Sequence, residues 1–228
     1  MFSSELSTGS TETKSDRTRR LLRDIALRSF RERGYDATTI RHIAAEAGVS
    51  VGTTNYHFAS KNDLVQELYL DVQDAHAARA AELSGSTTGL IDRLRIAYET
   101  GLDEIEPYHP HAPEFLSAAM SPRSPINPLS TDSADALRIT ESVFRAAVTG
   151  ADHRLPADIA EKLPRVFVLG HLLLALFWVY DSSPEQRRTR LLLGAGLTLL
   201  GRVLPVVGLP GVRGPVRQLL DLVDEVQA

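Results

Sequence analysis

The chain has 228 residues, 43% of them hydrophobic and 24% charged, enough for one large domain or a small one joined to a larger one around a buried core. There is no cysteine, which excludes disulfides, thiolate metal sites and covalent catalysis through sulfur. The net charge of −4 argues against a nucleic-acid partner until the charges are placed: Lys14 to Lys61 holds ten lysines and arginines against five acids, so this segment carries +5 and the remainder −9.

The first fifteen residues, MFSSELSTGSTETKS, are rich in Ser and Thr and lack an apolar run, which predicts a disordered arm over 1–15 rather than a secretory signal. From there the apolar residues recur at three- and four-residue spacing, so the pattern is helical to the end of the chain. Leu22, Ile25, Ala26 and Phe30 form the stripe of a first helix that Gly34 stops. Thr38 is the expected N-cap of a short second helix carrying Ile40, Ile43, Ala44 and Ala47, which Gly48 ends. Ser50 caps a very short third helix, and Ser60 with Asp63 forms the capping box of a fourth, carrying Leu64, Leu68 and Val72 to about residue 81.

SGSTT at 84–88 separates this from a helix with Leu90, Leu94, Tyr98, Leu102 and Ile105 on one face. The prolines of EPYHPHAPEF interrupt the pattern, and SPRSPINPLST at 121–131 reads as a mobile loop. A helix from about 133 to 149 precedes a long apolar run with a break or kink at Pro164. Ser183, Pro184 and Gln186 supply a cap, a first-position proline and a capping-box partner for a helix to about 204, and Leu219, Leu220, Val223 and Val226 mark a last one. The most apolar window, 167–180, is shorter than the roughly 20 residues of a membrane span and contains His171, so it predicts a buried helix and a cytoplasmic protein without a membrane partner. The expectation is an all-α protein of four short helices followed by longer ones.

Two short helices joined by AGVS make a helix-turn-helix: Ala44 is small at the crossing, Gly48 makes the turn, Val49 plugs the core and Ser50 caps the next helix. Val51 to Phe58 would then lie in a major groove. Val51, Thr53, Thr54 and Asn55 face base edges, and Tyr56, His57 and Lys61 face phosphates. Asn55 can bond an adenine edge or brace the turn, and His57 can equally pack beneath Tyr56.

The stretch TTIRHIAAEAGVSVGTTNYHFASKNDLV resembles the DNA-binding domain of the tetracycline-repressor (TetR-like) family, over roughly Arg17 to Val72. Thr54 stands where that family usually has Leu or Ile, and Asn55 where an aromatic residue is common. The resemblance implies a homodimeric regulator, usually a repressor, with a helix-turn-helix domain at 16–75 and a helical effector-binding and dimerisation domain at 76–228. Its partners would be double-stranded operator DNA and a small apolar or aromatic effector. Arg41, Thr53, Tyr56, His57 and Lys61 fall on the family's backbone-contacting positions, and Thr39, Ser50, Val51 and Asn55 complete the expected DNA-binding set.

Tyr98, Phe115, Met120, Phe144, Phe177 and Trp178 are the aromatic and soft side chains expected to line an effector pocket. The nearly all-apolar helices at 164–181 and 183–204 are expected to pair with a second copy in a four-helix bundle. The contrasting reading is a helical enzyme or ligand carrier with His109 or His111 as general base. His109, His111 and Glu114 lie on a proline-broken segment, too few and too irregular for a metal site, and Gly194, Gly196 and Gly201 follow no strand, so no cofactor or metal is expected.

Overall fold

The first helix begins where a capping box can close. The Thr13 side chain accepts from the Asp16 amide at 3.1 Å and the Asp16 carboxylate accepts from the Thr13 amide at 3.1 Å, opening α1 (Lys14–Ala37). The computed structural model describes residues 13–153, 155–207, 209 and 211–227, without the side chains of 223–227. Residues 13–15 of the expected arm therefore belong to α1 and its cap, and the rest of the arm lies outside the described residues, as do the side chains of Val223 and Val226.

Gly34 breaks the helical path of α1 with φ 79°, and a Cβ there would collide with Glu114 and His111. The sharp bend brings Thr38 back under α1, where it is fully buried, its hydroxyl donating to the Gly34 carbonyl at 2.7 Å beside Ser29. Thr38 is thus not the cap of α2 (Ile40–Glu46). Thr39 is, accepting from the His42 amide at 3.2 Å. Ser50 caps α3 (Val51–His57), and the Ser60–Asp63 box opens α4 (Lys61–Ser84). At 24 residues α4 is a long helix, because its apolar face runs from Leu64 in one apolar cluster to Ala80 in another, while the 24 residues of α1 include the break at Gly34.

The body follows: α5 (Leu90–Ile105), α6 (Ala112–Ala119), α7 (Ala134–Thr149), the single turn α8 (Ala157–Ala160), α9 (Leu163–Val179), α10 (Arg187–Val203) and α11 (Arg213–Gln227). No strand occurs among the described residues. The prolines of EPYHPHAPEF start structure instead of interrupting it: Pro107 opens a 3-10 turn over Glu106–His111 and Pro113 sits in the first turn of α6. Pro164 likewise lies in the first turn of α9 and produces no kink within it. The 121–131 segment is tied down. Ile126 is buried, its carbonyl accepts from the Tyr69 hydroxyl at 2.9 Å, and the Pro125 carbonyl accepts from Gln66 at 2.6 Å.

Two apolar clusters result, and they interlock. The head core joins Leu22, Ile25 and Phe30 of α1, Ile43 of α2, Phe58, and Leu64 and Leu68 of α4. It is closed by Tyr108, Phe115, Ala119 and Ile126, all far beyond residue 75. The body core runs from Ala80 at the far end of α4 through α5, α7 and α9 to Leu193, Leu197 and Leu220.

The stretches Ala157–Val179 and Pro184–Val206 are each 23 residues long and contain 18-residue windows of mean hydropathy 1.6 and 1.3, long and apolar enough to cross a membrane by length and composition, unlike the shorter window at 167–180. Within the chain α9 buries Phe167, His171, Leu174 and Trp178, and α10 buries Leu193 and Leu197. Their other faces leave Leu173, Leu176, Phe177, Tyr180, Leu191, Leu192, Leu199 and Val203 exposed. Gly194 and Gly196 meet no neighbouring atoms on this side.

The link between these two helices is closed by Asp181, not by the expected Ser183–Gln186 box; Gln186 lies in the left-handed region at φ 48°. The buried Asp181 carboxylate accepts from the Thr189 amide and hydroxyl at 2.7 and 2.8 Å and from the Ser183 amide and hydroxyl at 3.0 and 2.6 Å. Burial raises its pKa, but these four donors outweigh burial and hold the carboxyl well below the usual range. A depressed folded pKa stabilises above the unfolded value, about 3.9, and the benefit is lost as pH falls through the folded value. Asp181→Ala should cost about 1.5–3 kcal/mol in urea unfolding near neutral pH, with the gap to wild type narrowing in strong acid. A gap independent of pH would contradict the ionised cap.

Candidate functional site

The turn between α2 and α3 is set by small residues and backbone bonds. Ala44 is buried at the crossing, Gly48 takes φ 67°, and the Val49 amide donates to the Ala44 carbonyl at 3.0 Å. Ser50 then accepts from the Thr53 amide at 3.0 Å. Thr54 departs from the expectation that it faces outward: it is fully buried, and its hydroxyl donates to the Ser50 carbonyl at 3.3 Å. A threonine therefore fills the anchoring position with its polar atom satisfied inside the helix.

The exposed tip carries Val51, Asn55 and Tyr56, the last 81% exposed, with Thr53 half-buried beside them. His57 is half-buried, its ring edge-on to Tyr56 at 5.1 Å. Thr39 and Arg41 stand exposed at the start of α2.

Much of the basic surplus of the segment is internally paired. Arg19 bonds Glu67, Arg23 bonds Glu67 at 3.1 Å and Asp71 at 2.6 Å, and Arg28 bonds Glu46, clamping α1 to α4 and α2. Arg17, Arg33 and Arg41 are exposed. Lys61, expected on a phosphate, is turned inward. Its Nζ donates to the Tyr35 carbonyl at 2.9 Å and lies 3.6 Å from the Tyr35 ring centroid, a cation–π contact. Burial lowers its pKa against the opposing pull of Asp36 and Glu114.

Directly behind the head lies a cavity of about 470 Å³. Its walls come from α4 (Leu68, Tyr69, Val72, Gln73), from Tyr108 and α6 (Phe115, Leu116), from α7 (Leu137, Thr140) and from α9 (His171, Leu176, Trp178). No Asp, Glu, Lys or Arg is among its lining residues. Of the six side chains expected there, Phe115, Met120 and Trp178 line it. Tyr98 and Phe144 are instead packed together in the body core, ring centroids 4.8 Å apart, with the Tyr98 hydroxyl donating to the Phe167 carbonyl at 2.9 Å. Phe177, one helical step from Trp178, points to the exposed face of α9.

The two histidines considered as bases serve the structure. His109 donates from Nε2 to the Trp178 carbonyl at 3.0 Å, and His111 meets the Glu114 carboxylate at 3.4 Å; neither lines the cavity. Among the described residues no group of three or more His, Asp or Glu is placed to hold a metal ion.

Phe115 faces both ways. It lines the cavity and also packs edge-on against Phe30 and Tyr35 of α1, each at a centroid distance of 5.7 Å. Glu114 beside it accepts from the Asp36 amide at 3.2 Å, a bond that holds its carboxyl below the usual range.

The family models agree with this layout. The model described as bacterial regulatory proteins, tetR family, matches residues 22–68, and the tetracyclin repressor-like C-terminal domain matches residues 93–226, more than half of the chain. The chain belongs to the tetR family.

The HTH-type transcriptional repressor KstR2 of Mycobacterium tuberculosis is 38% identical over 88 residues, 39% of this chain and 44% of that protein. The HTH-type transcriptional regulator AcrR of Shigella flexneri is 37% identical over 59 residues, 26% of this chain and 27% of that protein. The chain thus spans less than half the length of the curated relatives it matches. Among solved structures, a tetR-family regulator from Streptomyces coelicolor superposes with TM-score 0.61 at 21% identity, covering 92% of this chain and 96% of its own. The TetR regulator of Nitrosomonas europaea gives 0.59 at 20%, covering 81% and 98%. Both establish the fold.

Within this tetR-family chain, sequence reading missed Tyr35, Gln73 and His171. Tyr35 lies three residues before the stretch that carries the resemblance, and nothing local marks it as the seat of Lys61. Gln73 and His171 reach the same cavity from α4 and α9, which both pack on α7, and no local pattern carries that. Lys61→Ala removes a charged hydrogen bond and a ring contact inside the head, so it should destabilise the protein by about 1–2 kcal/mol in chemical unfolding, with or without DNA present. Unchanged stability would return Lys61 to the role of a surface phosphate ligand.

Proposed function

We propose that the chain is a cytoplasmic, homodimeric repressor that holds operator DNA with paired helix-turn-helix heads and lets go when a small, largely apolar molecule enters the cavity. The observation that carries this reading is Phe115, which belongs at once to the cavity wall and to the packing of α1. The repressor sense is supported by the similarity to KstR2, whose name states that role.

In the DNA-bound form α3 lies in the major groove, with Val51, Thr53 and Asn55 toward base edges and Thr39, Arg41, Ser50, Tyr56 and His57 toward the sugar-phosphate backbone. Lys61 acts through Tyr35, fixing the angle between α1 and α4. Two heads can read successive major grooves only at a separation of about 34–36 Å or a related spacing. A ligand that pushes Phe115 presses on Phe30 and Tyr35 through α6, as well as on α4 through Leu68 and Val72, and so changes that separation.

The exposed apolar faces of α9 and α10 are read as the dimer seam. Leu173, Leu176, Phe177, Leu192, Leu199 and Val203 are exposed in one protomer, and the open Gly194 and Gly196 allow close approach of a second. Leu199, 62% exposed, is the position to disturb; Leu193 is buried in the protomer, so a charge there would strike the core instead.

Leu199→Glu should give a fully helical monomer by light scattering and circular dichroism. Its affinity for a DNA fragment selected by the wild type from a random pool should fall by at least about tenfold, because one head forfeits the second half-site. A wild-type monomer, or a monomeric variant that binds as tightly as wild type, would sink the dimer reading.

A further inference from the structure

The cavity wall is mostly apolar: Asn127 and Ser133 are hydrogen-bonded within their own segment and to Gln66, and the other polar cluster comes from Gln73 of α4, Thr140 of α7 and His171 of α9. There His171, buried on the wall, stacks on His76 with ring centroids 5.7 Å apart, and its Nδ1 has no hydrogen-bond partner. Glycine at 101 makes this possible, since a Cβ at that position would collide with the His171 ring. Burial, reinforced by the neighbouring His76, pushes the His171 pKa down to about 3, so the ring is neutral and offers one donor and one acceptor.

The orientation of Gln73 follows from its neighbours. His76 Nε2 lies 2.8 Å from the Ala97 carbonyl, which can only accept, so this nitrogen carries the proton. Burial lowers the His76 pKa, leaving Nδ1 of the neutral ring as an acceptor. The terminal amide atom of Gln73 that sits 3.2 Å from Nδ1 must therefore be its nitrogen. The same atom is 2.9 Å from the Thr140 hydroxyl, which sends its own proton to the Ala136 carbonyl at 3.0 Å and can accept. Both amide protons are thereby used, and the amide oxygen remains without a partner on a residue that lines the cavity.

We propose that the cavity binds an uncharged, mostly apolar molecule with one hydroxyl group, which donates to the Gln73 oxygen and accepts from Nε2–H of His171, whose Nδ1 is enclosed beside Gly101. This deepens the effector reading above and rests on it. A hydroxyl can answer an acceptor and a donor together, whereas an ether or ketone answers only the donor. A carboxylate or an ammonium would be desolvated among side chains that offer no opposite charge. The volume of about 470 Å³ is within the usual range for small-molecule sites.

Trp178 is the only tryptophan of the chain and lines the cavity, so its fluorescence reports occupancy directly. The 228-residue chain is titrated, below micelle-forming concentrations, with dodecan-1-ol, its isomeric ether 1-methoxyundecane, dodecanoate and dodecylammonium. The alcohol should bind about tenfold more tightly than the ether and more tightly still than either ion. Gln73→Leu should erase the preference of alcohol over ether, and His171→Phe should weaken both, each in a protein whose helical circular dichroism is unchanged.

An ion that binds as well as the alcohol, or an ether equal to it in the wild type, overturns the hydroxyl assignment and leaves the cavity as a ligand site. No response of Trp178 to any probe up to its solubility overturns the ligand site itself. Binding of the alcohol without release of a DNA fragment selected from a random pool overturns the effector reading while the hydroxyl assignment stands.

Discussion

The head of this protein cannot close its own core. Residues 14–68 supply Leu22, Ile25, Phe30, Ile43, Phe58 and Leu64, but the cluster is completed by Tyr108, Phe115, Ala119 and Ile126. Interiors pack as densely as organic crystals, so a side chain shared by two compartments transmits displacement between them. Phe115 is such a side chain, with one side on the cavity and the other against Phe30 and Tyr35. The polar contacts around it act in the same place: Glu114 on the Asp36 amide, Lys61 on the Tyr35 carbonyl, and the Tyr35 hydroxyl on Asn62 at 3.2 Å. The bend at Gly34 is what permits this approach, since any side chain there would displace Glu114 and His111.

The same arrangement accounts for the distribution of charge. The positive surplus between Lys14 and Lys61 looks from the sequence like a surface for phosphates, yet Arg19, Arg23 and Arg28 are paired with Glu67, Asp71 and Glu46. These pairs are partly exposed and each contributes little to stability on its own. Their geometry, from α1 to α4 and α2, fixes how these helices meet, and leaves the tip of α3 with Arg17, Arg33 and Arg41 exposed.

What was legible in the sequence was local. Ser50 and the Ser60–Asp63 box marked α3 and α4 because a cap is decided within four residues. Gly48 marked the turn because φ 67° favours glycine. Where two local signals competed, reading failed. Thr38 and Thr39 are both able to cap, and only the fold back beneath α1 decides that Thr38 is buried. Ser183 and Gln186 looked like a box, but Asp181, drawn in from the end of α9, offers an ionised acceptor and takes the bonds. The cavity was legible only in part: Trp178 and Phe177 are adjacent in the chain, and which of them faces inward depends on the rotation of α9 against α7, a tertiary fact. The proline-rich segments misled for a related reason, since proline that would break a helix interior also begins helices and turns.

The central claim is that occupancy of the cavity and grip on DNA are coupled through the shared packing at Phe115. Coupling is reciprocal: if a ligand weakens operator binding by a given factor, operator DNA weakens ligand binding by the same factor, typically about 5- to 150-fold for couplings of about 1–3 kcal/mol. The direct measurement is a calorimetric titration of dodecan-1-ol into the protein, alone and saturated with a DNA fragment selected from a random pool. The account predicts a ligand affinity lower by a factor in that range when DNA is bound, with the difference abolished in Phe115→Ala. Equal affinity in the two wild-type titrations would contradict it.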